Sequence, residues 1–290
     1  MPARPLILAV DVGTSAVKVA LFDDRLRVRA QQTAACPVQR PEPGFVEADP
    51  RHWWRLVTRS TRALLAGHDA ARVEVVTFST LYPAVMLTDE RFRPLRPAIL
   101  YCDARSAEEG HAFERRVGRK ALLTRTGLAV HPGTPALSSL VWLAQHEPEV
   151  LRRTRHLLQP NSYLAARLTG RAATDLNTAS ITGLLDVRAT PRWWTALARR
   201  AGLDEAILPP LVTSHEPIGG LTASGARALG LRTGVPVVLG AGDSACAAPQ
   251  GPVRACGGGL SCRPWDVIRP RDPAGADVPD PTPPSGAPTR

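Results

Sequence analysis

The segment Leu6-Ile7-Leu8-Ala9-Val10-Asp11-Val12-Gly13-Thr14-Ser15-Ala16-Val17-Lys18-Val19-Ala20-Leu21-Phe22-Asp23 decides the fold. Two apolar runs, 6–10 and 17–22, flank a short polar stretch with Gly13, Thr14 and Ser15 at its centre. Such a Gly/Thr/Ser turn between strand patterns reads as a β-hairpin. The first run is apolar without alternation, which places it inside a sheet. Further out, Trp53, Trp54, Leu56, Val57, Leu64 and Leu65 recur at helical spacing, so His52 to Leu65 reads as a helix started by Asp49-Pro50. Strands are expected over Arg72–Ser79, Ala84–Leu87 and Val235–Leu239. Helices are expected over Ser106–Val117, Leu137–Gln145 and Glu149–Leu158, the last beginning after Pro148. A hairpin followed by alternating strands and helices defines an α/β fold class.

The 290 residues are 44% apolar and 21% charged, enough for one large or two moderate domains with a substantial core. No apolar run is long enough to span a bilayer, and the stretch after Met1-Pro2-Ala3-Arg4-Pro5 is too short for a secretory leader. A cytoplasmic protein with no membrane partner is therefore expected. The net charge of +10 comes from 34 Arg and only two Lys, Lys18 and Lys120. The arginines are scattered and lack the stripe with interleaved aromatics of a phosphate-tracking surface, so no nucleic-acid partner is expected. Five cysteines without a CxxC pair or paired histidines indicate reduced thiols, not zinc or disulfides.

Two clusters can carry chemistry. In the first, Gly13 lets backbone N–H groups approach a phosphate, Thr14 and Ser15 add hydroxyl donors, and Lys18 adds a point charge. Asp11, at the end of its strand, can hold hydrated magnesium. An ordinary hairpin turn explains the same residues. The second is Gly240-Ala241-Gly242-Asp243-Ser244-Ala245-Cys246, where Asp243 can either cap a helix or serve as a general base towards a hydroxyl. The pairs Trp53-Trp54 and Trp193-Trp194 read as anchors of helices against the sheet.

Taken together, the clusters carry a resemblance. The chain resembles the FGGY carbohydrate kinases through collinear segments between residues 6 and 248, among them DVGTSAVKVALFD, PEPGFVEADPRHWW, PLRPAILYCDARS, YLAARLTGRAATD, ASITGLLDV and VVLGAGDSACAA. The resemblance implies an actin-like fold of two ribonuclease-H-type domains with a cleft between them. It implies ATP and Mg2+, with Asp11 organising the metal through water and Gly13, Thr14, Ser15 and Lys18 meeting the phosphates. Asp243 would take the proton from a sugar or polyol hydroxyl, and a homodimer is among the expected assemblies. The acceptor loops depart from the xylulokinase pattern. Thr80-Leu81-Tyr82-Pro83 stands where Gln-Met-His-Gly is usual, Tyr101-Cys102-Asp103-Ala104-Arg105 replaces Trp-Asn-Asp-x-Arg, and Ser244 replaces an Asn. The sugar-binding candidates are accordingly Tyr82, Tyr101, Asp103 and Ser244, with Asp103–Arg105 equally readable as a local ion pair. Arg125-Thr126-Gly127 to His131-Pro132 is closer to gluconokinases.

The family pattern stops near Ala248, and the family's second domain, with its own Gly-Thr-Ser loop, is not in the sequence. Residues 249–290 hold 10 Pro and 6 Gly, against 18 and 17 in the preceding 248. The expected organisation is an N-terminal kinase domain at 6–248 and a disordered tail at 249–290. A truncated or frameshifted product, inactive on its own, is expected. The alternative is a non-catalytic sugar-binding or regulatory remnant of a kinase.

Overall fold

The computed structural model describes residues 4–247. The expectations for 249–290 fall outside the described residues. β1 (Leu6–Val12) and β2 (Ala16–Asp23) form the expected antiparallel hairpin, with Asp11 opposite Lys18. Alternation decides which side chains are covered: Leu6, Leu8, Val10 and Val12 point into the core, whereas Ile7, Ala9 and Asp11 point to the other face. β3 (Val28–Ala35) continues the meander on β2. Its sequence, Val-Arg-Ala-Gln-Gln-Thr-Ala-Ala, carries no apolar alternation, because an exposed edge strand buries neither face.

β4 (Glu47–Ala48) leads into α1 (Pro50–Leu65). Asp49 caps that helix by accepting a hydrogen bond from the Arg51 N–H, and Pro50 suits the first turn, where no backbone donor is needed. Trp53, Val57, Leu64 and Leu65 form its buried face. β5 (Val73–Thr80) then pairs parallel to β1. β6 (Ala84–Thr88) and β7 (Ala98–Leu100) follow, then α2 (Ala107–Val117), α3 (Arg119–Thr126), α4 (Ala136–His146), α5 (Pro148–Arg153) and β8 (His156–Leu158). The helix expected over Glu149–Leu158 is thus half right. It stops at Arg153, Thr154 turns its hydroxyl back onto the Val150 carbonyl, and His156–Leu158 pair with β6.

The remaining elements are α6 (Pro160–Thr169), β9 (Thr174–Asp175), α7 (Leu176–Ser180), β10 (Leu185–Asp186), β11 (Arg192–Trp193), α8 (Thr195–Arg200), β12 (Leu211–Val212), β13 (Pro217–Gly220), α9 (Ala223–Leu229), β14 (Pro236–Val238), β15 (Ala241–Gly242) and α10 (Asp243–Ala247). The main sheet runs β13-β14-β5-β1-β2-β3, with β15 also on β5, so β1 is interior as expected. The order mixes parallel β14–β5–β1 with antiparallel β1–β2–β3.

A second sheet, β4-β7-β6-β8, separates two hydrophobic cores. Ala84, Met86, Leu100 and Leu158 face the core under the main sheet, with Trp53, Tyr163 and Leu164. Val85, Leu87, Ile99 and Leu157 face the other core, with Phe113, Leu137, Leu140 and Leu197. Covered on both faces, β6 is buried at every position, which is why Ala84-Val85-Met86-Leu87 is apolar throughout. Trp53 anchors α1 against the main sheet. Trp193 and Trp194 correct the second expectation: they lie in β11 and before α8, packed on the second core away from the main sheet. Trp193 donates its indole N–H to the Pro209 carbonyl at 2.7 Å, and the Arg125 guanidinium sits 3.7 Å above the Trp194 ring. Among the described residues no helix is long and apolar enough to cross a membrane.

Candidate active site

One row of the main sheet sets the first half of the site. Lys18, Asp11, Ser79 and Ala241 are lateral neighbours on β2, β1, β5 and β15. On the face away from the helices, Asp11 Oδ1 accepts from the Ser79 hydroxyl at 3.2 Å, and Asp11 Oδ2 lies 3.7 Å from Lys18 Nζ. The Gly13 N–H donates to the Ala16 carbonyl at 2.9 Å, which closes the turn and lifts Thr14 and Ser15 to its tip. A Cβ on Gly13 would already lie 3.3 Å from that carbonyl oxygen.

The second half arrives from the far end of the chain. After β14 the backbone passes so close to β5 that a Cβ on Gly240 would fall 1.8 Å from the Phe78 carbonyl oxygen, at a φ of +63°. Glycine alone allows this approach. It lets β15 pair with the last residues of β5 and delivers Asp243 beside the strand end that carries Asp11. Asp243 opens α10, and its Oδ1 accepts from the Ser244 N–H at 2.7 Å and the Ser244 hydroxyl at 3.3 Å. Desolvation by the surrounding chain pushes the Asp243 carboxyl up from its ordinary pKa, and the negative charge of Asp11 adds to that shift.

Tyr82 forms a wall beside Asp243. Its ring lies against Gly242, where a Cβ would be 1.9 Å from the ring edge, and its hydroxyl faces Asn177 and Ser244. Burial raises the pKa of the phenol, so it stays a neutral donor. Asn177 Oδ1 accepts from the Gly242 N–H at 3.1 Å and so pins β15 from behind. Behind it, buried Asn161 donates to Asp175 Oδ2 at 2.9 Å, and Asp175 Oδ1 accepts from the Thr178 N–H at 3.0 Å to cap α7. Cys246 is exposed but faces Ser79 and Asp11, and partial desolvation pushes its thiol pKa up. Ser79, Asn161, Asp175 and Asn177 were not singled out from the sequence, and Cys246 entered only as the end of the Gly240–Cys246 cluster.

Tyr101 and Asp103 part company. Exposed Tyr101 extends its hydroxyl to 3.4 Å from Thr14 Oγ1, a long hydrogen bond that spans 87 residues of chain. Asp103 is fully buried, with its Oδ2 taken by the Val46 N–H at 2.6 Å and Arg105 Nη2 at 2.8 Å, and its Oδ1 by the Arg105 N–H and Nε. The pair is thus a buried ion pair beneath the loop, and the structure does not bring Asp103 to the row carrying Asp11. The structure gathers Asp11, Gly13, Thr14, Ser15, Lys18 and Tyr101 around one turn, with Asp243, Ser244 and Tyr82 beside it.

The central β1–β2 hairpin, with β3 antiparallel on one side and β5 parallel on the other, makes this the mixed sheet of sugar-kinase N-terminal domains, an actin-like fold. Residues 6–249 match the model of the N-terminal domain of the FGGY family of carbohydrate kinases, and the chain belongs to that family. It is 37% identical over 243 residues to xylulose kinase of Escherichia coli, covering 84% of this chain and 49% of that one. The crystal structure of xylulose kinase from Rhodospirillum rubrum superposes with a TM-score of 0.77 at 29% identity, over 84% of this chain and 51% of that one. Gluconate kinase from Lactobacillus acidophilus shares the fold, with a TM-score of 0.79 at 22% identity over 85% and 49% of the two chains. The chain spans about half the length of the curated relatives it matches.

Proposed function

We propose that this domain provides the acceptor wall, the general base and one phosphate-binding turn for ATP-dependent phosphorylation of a sugar or polyol. The convergence of Asp11 on β1 and Asp243 just after β15, on either side of the end of β5 and from 232 residues apart in sequence, carries the reading. The residues fit the expected ligands. The Thr14 and Ser15 hydroxyls and the Lys18 ammonium form a donor set for phosphate oxygens, and the bare backbone at Gly13 keeps the turn tight. Asp11, one oxygen of which is engaged by Ser79, suits a hydrated magnesium ion, which keeps most of its waters. When bound, Mg2+ offsets the negative charge of the transferring phosphoryl group.

The chain's own groups supply the remaining chemistry. Ser244 holds Asp243 Oδ1 and leaves Oδ2 to accept the acceptor hydroxyl proton as the oxygen attacks the γ-phosphorus of ATP and the bond from that phosphorus to the departing ADP oxygen breaks. The raised pKa makes the carboxylate a stronger base than an ordinary aspartate. Tyr82 and Tyr101 bring two phenol rings to the acceptor side, each an apolar face with a polar tip suited to a sugar.

Calorimetric titration of the 290-residue chain with ketopentoses, aldonates and polyols, with and without MgATP, tests the proposal. At least one panel member should bind, and Asp243→Asn should weaken it. Any ATP-dependent phosphorylation should fall by about 10²–10⁴-fold in that variant. If no panel member binds, or if Asp243→Asn phosphorylates as fast as the wild type, the assignment fails.

A further inference from the structure

The buried charges beneath Tyr101 do more than one ion pair requires. Arg105 is 1% exposed, and its guanidinium contacts Asp103 Oδ2 at 2.8 Å and Glu47 Oε1 at 2.7 Å. Its carbon lies 3.8 Å above the Phe45 ring and 5.1 Å from that of Trp142, so the plane is held by stacking as well as by hydrogen bonds. Arg96 joins Glu47 at 2.6 Å and Glu147 at 3.0 Å. Five charged groups thus meet in one knot: Glu47 from β4, Arg96 from the segment before β7, Asp103 and Arg105 from the turn after it, and Glu147 at the start of α5.

The Asp103–Arg105–Glu47 part of this knot bears on one short turn. Asp103 grips both the Val46 N–H and Arg105, and the Ala104 N–H donates to the Gly44 carbonyl at 2.8 Å. On the other side the Thr134 hydroxyl donates to the Tyr101 carbonyl at 3.3 Å. Gly133 packs so tightly there that a Cβ would lie 2.2 Å from the same oxygen. The turn 101–105 is therefore clamped from both sides, while the Tyr101 side chain projects from it and ends on Thr14. A buried ion cluster of this kind adds little net stability over apolar packing, and fixing one geometry is a better-attested use.

We propose that Arg105 is a positioning residue. By locking the 101–105 turn it seats the Tyr101 hydroxyl on Thr14, so that one aromatic side chain couples the acceptor side of the site to its phosphate turn. The assignment of those two sides rests on the function proposed above. At 3.4 Å the Tyr101–Thr14 contact is a long hydrogen bond, which a ligand drawing the two sides together would shorten. A nucleotide that engages Thr14 then changes what Tyr101 presents to the acceptor, and an acceptor held by Tyr101 acts back on Thr14 by the same factor.

The chain holds only three tyrosines, so fluorine NMR of 3-fluorotyrosine-labelled protein resolves the contact. Tyr163, fully buried, is the internal reference. In the unliganded protein Thr14→Val should shift the Tyr101 line and leave the Tyr163 line in place. Arg105→Lys should move the Tyr101 line to the position of solvent-exposed fluorotyrosine, again with Tyr163 unmoved. A Tyr101 line identical in wild type and Thr14→Val overturns the proposal, and Thr14→Val decides alone if Arg105→Lys does not fold. Addition of MgATP should shift Tyr101 in the wild type. In Arg105→Lys that shift should be lost, although hydrogen exchange at 13–16 still slows. Slowed exchange at 13–16 with no Tyr101 shift in the wild type refutes the coupling and leaves the proposed function standing. Absence of any MgATP effect on exchange refutes the nucleotide assignment, while the Thr14→Val comparison still decides the contact.

Discussion

Asp243 is an exposed aspartate whose surroundings still oppose its charge: partial desolvation by the surrounding chain and the negative Asp11 both raise its pKa. An acid with a raised pKa loses its basic form early on acidification. Acceptor binding or transfer that needs the carboxylate should fall as pH drops through a midpoint above the ordinary aspartate value of about 3.9. Asp11→Asn removes the negative neighbour and should move that midpoint down towards the ordinary value. Asp243→Asn should abolish the dependence. A profile unchanged by Asp11→Asn would show that the two carboxylates do not sense each other. At this scale the sequence was informative only where chemistry and turn geometry coincide. Asp11, Gly13 and Asp243 stand out beside glycines, whereas Asn177 and Asp175 act through contacts that no local pattern records. Tyr101 and Asp103 are two residues apart and looked alike as candidates. Whether each faces the site or the interior depends on Glu47, Phe45 and Trp142, which come from distant segments.

Elements are legible from the sequence where their burial leaves a pattern. α1 and α2 show a helical period, because one face meets the core and the other meets water, while the unbroken apolar runs of β1 and β6 mark interior strands. β3 was invisible for lack of a covered face. β8 was absorbed into a helix because its strand character comes from β6, across 68 residues. Glycine positions separate local from tertiary demands in the same way. Gly230 ends α9 in the left-handed region with its nearest side-chain neighbour 3.8 Å away, so Gly230→Ala should cost about 1–2 kcal/mol. Gly240 adds a backbone collision with Phe78, so Gly240→Ala should cost about 3–5 kcal/mol and displace β15. Urea denaturation of the two variants checks the order. Equal losses would mean that the approach of β15 to β5 is not constrained by Gly240.

For the molecule as a whole, the second sheet is the piece that unites the cores. Met86 and Leu87 are adjacent on β6, yet one belongs to the core under the main sheet and the other to the core with α2 and α4. Alanine at either position should cost about 2–5 kcal/mol through lost transfer energy and residual cavity. Since both cores share one wall, Met86→Ala and Leu87→Ala should lower the same single calorimetric transition. Separate transitions, each sensitive to only one substitution, would show that the cores unfold independently. The turn 101–105 leaves that wall at the end of β7, so loosening it should be felt at Tyr101 before it is felt at Asp11.

The row Lys18–Asp11–Ser79–Ala241 also ties function to arithmetic. Side chains on a strand alternate, so Asp11 faces the site only because an even number of steps separates it from exposed-face residues Ile7 and Ala9. Slipping β1 by one residue against β2 and β5 would turn Asp11 into the apolar interior and put Val10 or Val12 where the carboxylate belongs. Slipping it by two would keep every face correct and misplace only the height of the row. The position of Asp11 is therefore protected by parity. Insertions or deletions of a single residue within 6–11 would be expected to fail in folding as well as in chemistry, so lineages that change this strand should do so by pairs.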